Sequence, residues 1–259
     1  MPIATNRCSI SIFFPAFNDE GTIAGLVRDA LDLLPNLATD YQVLVINDAS
    51  TDGTAAIIDE LAATYPQVRA IHHGRNRGYG GALQTGFKES EKELVFYTDG
   101  DGQYDVRELT RLWPLMVEGV TVVNGYKARR ADGLARRIMG ETYNRVARLL
   151  FNLPVRDVDC DFRLIRKSVL QELGELSNSG AVCVELIRGL HTRGAVFAQV
   201  EVGHYPRRHG RSQFMTSARV GRTLYDFCGL WIKLVCWPKI FKSKQSQSIP
   251  PAKLPVTSR

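Results

Sequence analysis

Leu94-Val95-Phe96-Tyr97-Thr98-Asp99-Gly100-Asp101-Gly102-Gln103 is the stretch whose reading decides the fold. Its first five residues, aliphatic, aromatic and β-branched, predict a buried strand. The strand runs straight into two aspartates one residue apart, then a glutamine. Gly100 and Gly102 flank Asp101, so the backbone there can turn sharply and approach a ligand. Carboxylates at the carboxyl end of an α/β strand sit where such folds bind ligands. Paired oxygen ligands suit a hard cation such as Mg²⁺ or Mn²⁺, which keeps water and phosphate oxygens as its other ligands. The competing reading is a solvated turn, because Asp-Gly pairs are common turn formers.

On either side of this stretch the chain alternates between strand and helix patterns. Ser9 to Phe14 reads as a strand and Thr22 to Leu34 as an amphipathic helix, with Ile23, Leu26, Val27, Ala30, Leu31 and Leu34 on one face. Gln42 to Ile46 is a second strand. Ser50 and Asp52 offer cap chemistry to a helix that Pro66 stops near Tyr65. Val68 to His72 is a third strand, and Gly78 to Gly81 a loop opening a helix toward Glu89. After the Leu94 strand come a helix around Val106 to Glu118 and a strand from Thr121 to Asn124. The alternation predicts an α/β fold, a mainly parallel sheet flanked by helices. Further on are a helix from Thr142 to Phe151, a mixed segment around Asp157 to Ile165, a helix over Val184 to Thr192 and a strand over Ala195 to Val202.

The 259 residues suffice for one large core with a small appendage, and 44% apolar with 23% charged content is ordinary for a globular protein. No run of roughly 18 uncharged apolar residues occurs, which argues against a spanning helix. No signal peptide is legible at the N-terminus. Cys8, Cys160, Cys183, Cys228 and Cys236 are scattered and form no C-x-x-C pair, the pattern of a reduced cytosolic protein without structural zinc. The net charge of +6 is concentrated at one end, since His204 to Arg259 holds eleven Lys/Arg against the single acid Asp226. That region calls for an anionic partner.

Within it, Ser217 to Val235 reads as an amphipathic helix, apolar through Phe227, Leu230, Trp231, Leu234 and Val235. Followed by Trp237, Lys239, Lys242 and Lys244, it is expected in a bilayer interface, with docking on the protein's own core as the alternative. The expected organisation is therefore a globular α/β domain over residues 1–215, an amphipathic, candidate membrane-interface helix over 216–242 and a disordered tail over 243–259.

Two more strands end in polar and acidic residues, Pro15-Ala16-Phe17-Asn18-Asp19-Glu20 and Asn47-Asp48-Ala49-Ser50-Thr51-Asp52-Gly53-Thr54. Carboxylates and amides there can read the N–H groups of a base and the hydroxyls of a ribose. Either could instead be no more than a helix cap; three such strand ends in order argue otherwise. Arg75-Asn76-Arg77-Gly78-Tyr79-Gly80-Gly81-Ala82 fails as a dinucleotide fingerprint, because Leu83 stands where a third Gly or Ala is needed. Lys127, Arg129, Arg130, Arg136 and Arg137 can bind phosphate by charge-assisted hydrogen bonds, or form a solvated basic loop. Asp157, Asp159, Asp161 and Arg163 form a second polar cluster, for which structural ion pairing competes. Cys160 reads as a packing residue.

Taken in order, P-A-F-N-D-E, N-D-A-S-T-D-G-T, N-R-G-Y-G-G-A, D-G-D-G-Q, D-C-D-F-R and R-R-H-G-R-S resemble a family 2 glycosyltransferase, and more narrowly the branch of dolichyl-phosphate mannose synthase and polyprenyl-phosphate glycosyltransferases. The resemblance spans Ser9 to Gln213. It implies a GT-A (Rossmann-like) fold, a Mg²⁺ or Mn²⁺ cofactor and inverting transfer of a sugar from a nucleotide donor to a polyprenyl phosphate. It implies that Asp99, Asp101 and Gln103 hold the metal. Pro15, Phe17, Asp19, Asp48, Asp99, Gly100, Asp101, Gln103, Lys127, Arg207 and Ser212 would contact the nucleotide sugar. Lys127, Arg136, Arg137 and Arg163 would bind the acceptor. Asp101 and Arg163, with Asp159 or Asp161 as base should the acceptor be a hydroxyl, are the catalytic candidates. Asn47, Phe17 and Gln213 depart from the common Asp, Tyr and Lys of the family.

The expected setting is cytoplasmic, peripheral on the cytosolic membrane face. The partners are the nucleotide sugar, the lipid phosphate and an anionic membrane surface, with room for a membrane-protein subunit and none for nucleic acid. Two other readings stay open: a family 2 enzyme acting on a saccharide or protein hydroxyl, and a non-catalytic membrane- or nucleic-acid-binding module.

Overall fold

The computed structural model describes residues 8–127, 134–207 and 225–236, with side chains from 140 onward in the second segment. In chain order the elements are β1 (Ser9–Ala16), α1 (Ile23–Leu33), β2 (Asp40–Asn47), α2 (Thr54–Thr64), β3 (Val68–His72), α3 (Gly78–Glu89) and β4 (Leu94–Thr98). There follow α4 (Leu109–Leu112), β5 (Val122–Lys127), α5 (Leu134–Phe151), β6 (Phe162–Arg166), α6 (Lys167–Gln171), α7 (Val182–Thr192) and β7 (Phe197–Val202). The seven strands form one sheet in the order β3-β2-β1-β4-β6-β5-β7. Every pairing is parallel except those of β6, which runs antiparallel to both β4 and β5.

The strand interiors are buried on both faces, which is why they read as continuous apolar runs. Along β1, Ile10, Ile12 and Phe14 point into the layer shared with α1 and α2. Phe13 points the other way, into the layer with α3 and α7. All five residues of β4 are buried. The order reverses between β1 and β4, a topological switch point, and the carboxyl ends of these strands open the crevice where open α/β sheets bind ligands.

Three expectations ahead of the C-terminal segment change. The helix expected over Val106 to Glu118 is a series of short turns. The Asp105 side chain accepts from Arg107 N at 3.0 Å and starts a 3₁₀ turn at Val106, and Pro114 forces another at Trp113–Leu115. Helix α5 begins at Leu134, well before Thr142. The mixed segment resolves into β6, inserted between β4 and β5.

The C-terminal segment changes most. Residues 225–231 are helical and continue into a π turn at Ile232–Cys236. Phe227 and Leu230 are buried, and the Phe227 ring meets Tyr143 and Phe151 at centroid distances of 5.6 and 5.0 Å. Trp231 Nε1 donates to Leu150 O at 3.2 Å, and Lys233 Nζ lies 2.9 Å from Glu185 Oε1 on α7. Phe227 and Leu230 are thus covered by the protein's own core, and Trp231, Leu234 and Val235 are half-buried against it. Residues 216–224 and everything past Cys236, including the expected tail, lie outside the described residues. Among the described residues no helix is long and apolar enough to cross a membrane.

Candidate active site

The crevice is built where the β1 and β4 ends touch. Gly100 N donates to Pro15 O at 3.1 Å, and Thr22 Oγ1 donates to Gly100 O at 2.7 Å. A Cβ on Gly100 would stand 2.8 Å from Pro15 O and 3.2 Å from Asp19 Oδ2, so no side chain fits there. This contact brings Asp19 beside the Asp99–Asp101 turn. Burial, with Asp101 and Asp52 nearby, pushes the Asp19 carboxyl up to about 6 even though Phe17 N donates to it.

Asp99 is raised well above the usual carboxylate range, chiefly by burial and then by the Asp161 and Asp101 carboxylates. Tyr79, in the first turn of α3, donates its hydroxyl to Asp99 Oδ1 at 2.7 Å. Asp101 Oδ1 accepts from Gln103 N at 3.0 Å, while its Oδ2 is paired with the Arg207 guanidinium. Gln103 Nε2 donates to Tyr205 O at 3.2 Å, which leaves its Oε1 as the acceptor end of the amide. Such an excess of carboxylate in a half-buried crevice fits a divalent cation. Among the described residues no three acidic, His or Cys side chains close a metal site by themselves. A cation here would need phosphate oxygens and water to complete its shell. Asp99, Asp101 and Gln103 Oε1 are the groups that could hold it.

Several expected ligands serve the frame of the crevice. Asp48 accepts from Arg77 N at 2.8 Å and Gly78 N at 2.9 Å, and His73 Nδ1 lies 2.6 Å from the same carboxylate. Its side chain is only 6% exposed, and these bonds shape the glycine-rich turn. Lys127 Nζ donates to Asp159 O at 2.7 Å and lies 3.9 Å from Asp157 Oδ2. Asn144 of α5 bonds both Asp157 Oδ1, at 3.0 Å, and Val158 N, at 2.6 Å. These bonds pin the 157–159 turn.

Arg163 is placed beneath the site. It is 0% exposed. Its Nε donates to Asn124 Oδ1 at 2.6 Å and its Nη1 to Asp161 Oδ1 at 2.8 Å, with further bonds to the Tyr97 hydroxyl and Val158 O. Cys183 Sγ donates to the same Asp161 oxygen at 3.0 Å. Arg163 therefore fixes Asp161, and no surface of it reaches an acceptor. Ser212 and the side chains of Arg136 and Arg137 lie outside the described residues.

Sequence reasoning passed over Tyr79, His73, Tyr97 and Cys183. Tyr79 carried a signal, as the one aromatic residue in a glycine-rich turn. Tyr97 in β4 and Cys183 in α7 are indistinguishable by local pattern from ordinary packing residues, and His73 directly follows β3.

A mainly parallel sheet with a paired-aspartate turn at its switch point is the architecture of GT-A nucleotide-sugar glycosyltransferases. The profile of the family described as Glycosyl transferase family 2 matches residues 11–174, and the chain belongs to this family. It is 24% identical over 206 residues to undecaprenyl-phosphate 4-deoxy-4-formamido-L-arabinose transferase of Aeromonas hydrophila, covering 79% of this chain and 62% of that relative. The chain thus spans less than two thirds of that relative's length. Among solved structures it is similar to glucosyl-3-phosphoglycerate synthase of Mycobacterium tuberculosis in complex with Mg²⁺ and UDP. That likeness has a TM-score of 0.61 at 19% identity, over 84% of this chain and 77% of that one. The same synthase with Mn²⁺ and UDP-glucose gives 0.61 at 21% identity, over 86% and 79%.

Proposed function

We propose that this chain transfers a sugar, with inversion, from a nucleoside diphosphate sugar to a polyprenyl phosphate at the cytosolic face of a membrane. The observation that carries the reading is the Asp101–Arg207 pair beside Asp99 at the β1/β4 switch point. A carboxylate pair and a guanidinium in one crevice match a cation–diphosphate unit: the acids take the cation and Arg207 takes phosphate oxygens. A bound Mg²⁺ or Mn²⁺ would neutralise charge on the departing diphosphate. The likeness to an undecaprenyl-phosphate transferase supports the lipid acceptor.

Each residue has a task in this reading. Asp48 and His73 hold the turn 77–78 that roofs the nucleotide. Tyr79 holds Asp99 for the donor. Arg163 and Cys183 hold Asp161 on the acceptor side. A phosphate acceptor is ionised near neutral pH and needs little help from a base, whereas a hydroxyl acceptor requires one. Arg163 and Cys183 both donate to Asp161 Oδ1, which commits that oxygen to the protein frame.

The membrane contact in this reading is the outward face of α5 and the C-terminal helix. Leu149 is 76% exposed and Tyr225 80%, with Val146, Leu150 and Ile232 also exposed. Arg145 and Arg148 lie exposed on the same α5 turns, and basic residues beside apolar ones suit anionic lipid.

The test is a screen of UDP- and GDP-sugars with a short polyprenyl phosphate and Mn²⁺ or Mg²⁺, read by mass spectrometry. A glycosylated lipid phosphate is the expected product. Transfer to a free saccharide with none to lipid phosphate would replace this reading with the hydroxyl-acceptor one.

A further inference from the structure

We infer that Glu108 is a positioning residue for the donor and its cation, acting through the segment Gly203–Arg207. The inference rests on the donor-site reading above and concerns a side chain no part of that reading uses.

Glu108 ends the 3₁₀ turn after the D-G-D-G-Q element, with its side chain mostly buried. Its two oxygens accept from Gly203 N at 3.1 and 3.0 Å, 95 positions further along the chain. The Tyr205 hydroxyl lies 3.4 Å from Oε1. A Cβ on Gly203 would stand 2.6 Å from Glu108 Oε1 and 2.8 Å from the Tyr205 hydroxyl, so a side chain there would push both groups aside. A carboxylate accepting a backbone N–H is a charge-assisted bond, stronger than a neutral one. It fastens the chain where it leaves β7.

Two residues on, the same segment is joined to the acidic turn. Tyr205 N donates to Gln103 O at 2.9 Å, and Gln103 Nε2 donates to Tyr205 O at 3.2 Å. A carbonyl can only accept, so Tyr205 O dictates which end of the Gln103 amide faces it. The nitrogen is committed to the segment and Oε1 is left for a cation. Two residues further, Arg207 reaches Asp101. One anchor thus governs both a neutral oxygen ligand and the guanidinium that meets the diphosphate. Supporting groups of this kind typically change metal affinity by about 10–100-fold when removed.

The experiment measures Mn²⁺ binding with UDP, and with GDP alongside, by titration of the free-ion EPR signal in full-length protein. Glu108→Ala should weaken Mn²⁺ binding at least about tenfold. Glu108→Gln, which keeps one acceptor oxygen, should fall between it and the wild type. Gly203→Ala should weaken binding with Glu108 intact, and serves if Glu108→Ala fails to fold. Arg111→Ala removes a partner of Glu108 outside that segment, at 3.0 Å, and should leave binding within about twofold. Wild-type affinity in Glu108→Ala, or equal weakening in Arg111→Ala, would overturn the inference. A wild-type protein that binds Mn²⁺ with neither nucleotide would overturn the donor-site reading along with it.

Discussion

Replacing Arg163 by alanine should damage the fold before it damages chemistry. The guanidinium is fully buried and serves Asn124 Oδ1, the Tyr97 hydroxyl, Asp161 Oδ1 and Val158 O. Truncation leaves these acceptors in a cavity, each unmet neutral one costing about 1–3 kcal/mol and the charged Asp161 more. Water entering the cavity offsets part of this, and removing one partner of a buried ion pair typically costs about 3–5 kcal/mol. For a chain of this size each kcal/mol lowers Tm by about 2–4 °C, so Arg163→Ala should unfold roughly 6–20 °C below the wild type. Arg163→Lys keeps a charge for Asp161 and loses the fork, and should unfold between the two. The assay is thermal unfolding by circular dichroism, with donor binding and transfer rate measured on the same preparations below the transition. If Arg163→Ala melted with the wild type yet lost only transfer to polyprenyl phosphate, Arg163 would be an acceptor ligand and the reasoning from its burial would fail.

Asp101→Asn removes charge with little change in volume, and should lower the transfer rate at least about a hundredfold, as chelator should in the wild type; full turnover in EDTA would remove the metal from the proposed function. At pH 8, iodoacetamide should label exposed Cys228 and spare Cys160, whose thiol burial pushes up to about 12, until denaturant is added. Peptide mass spectrometry reads the sites, and rapid native labelling of Cys160 would contradict its placement in the core. Leu149→Glu and Ile232→Glu, on the outward face of α5 and the C-terminal segment, should each reduce cosedimentation with anionic liposomes several-fold while leaving Tm within a few degrees. Unchanged sedimentation of both would move the membrane contact elsewhere.

The sequence by itself determined the sheet, the acidic turn and the order of strand ends that meet at the crevice. These are local matters: β4 is a run of buried residue types, Gly100 and Gly102 bracket Asp101, and the polar ends of β1 and β2 follow apolar runs within a few residues. It did not determine what each polar residue is paired with. Asp48 was placed at the nucleotide by its strand end, but its partners, His73 and backbone groups 29 and 30 residues on, could not be read from its neighbours. Arg163 looked like an acceptor ligand, but the insertion of β6 between β4 and β5 lays it over Tyr97 and against Asn124, 66 and 39 residues back. Glu108 carried no signal at all, since a glutamate in a short turn resembles any solvated carboxylate until Gly203 arrives beside it. The C-terminal helix showed an apolar stripe, and only packing in three dimensions buried Phe227 and Leu230 of it while leaving Trp231, Leu234 and Val235 half-buried. Burial and hydrogen-bond partnership are set by elements distant in the chain, whereas strand periodicity and turn chemistry are set by neighbours.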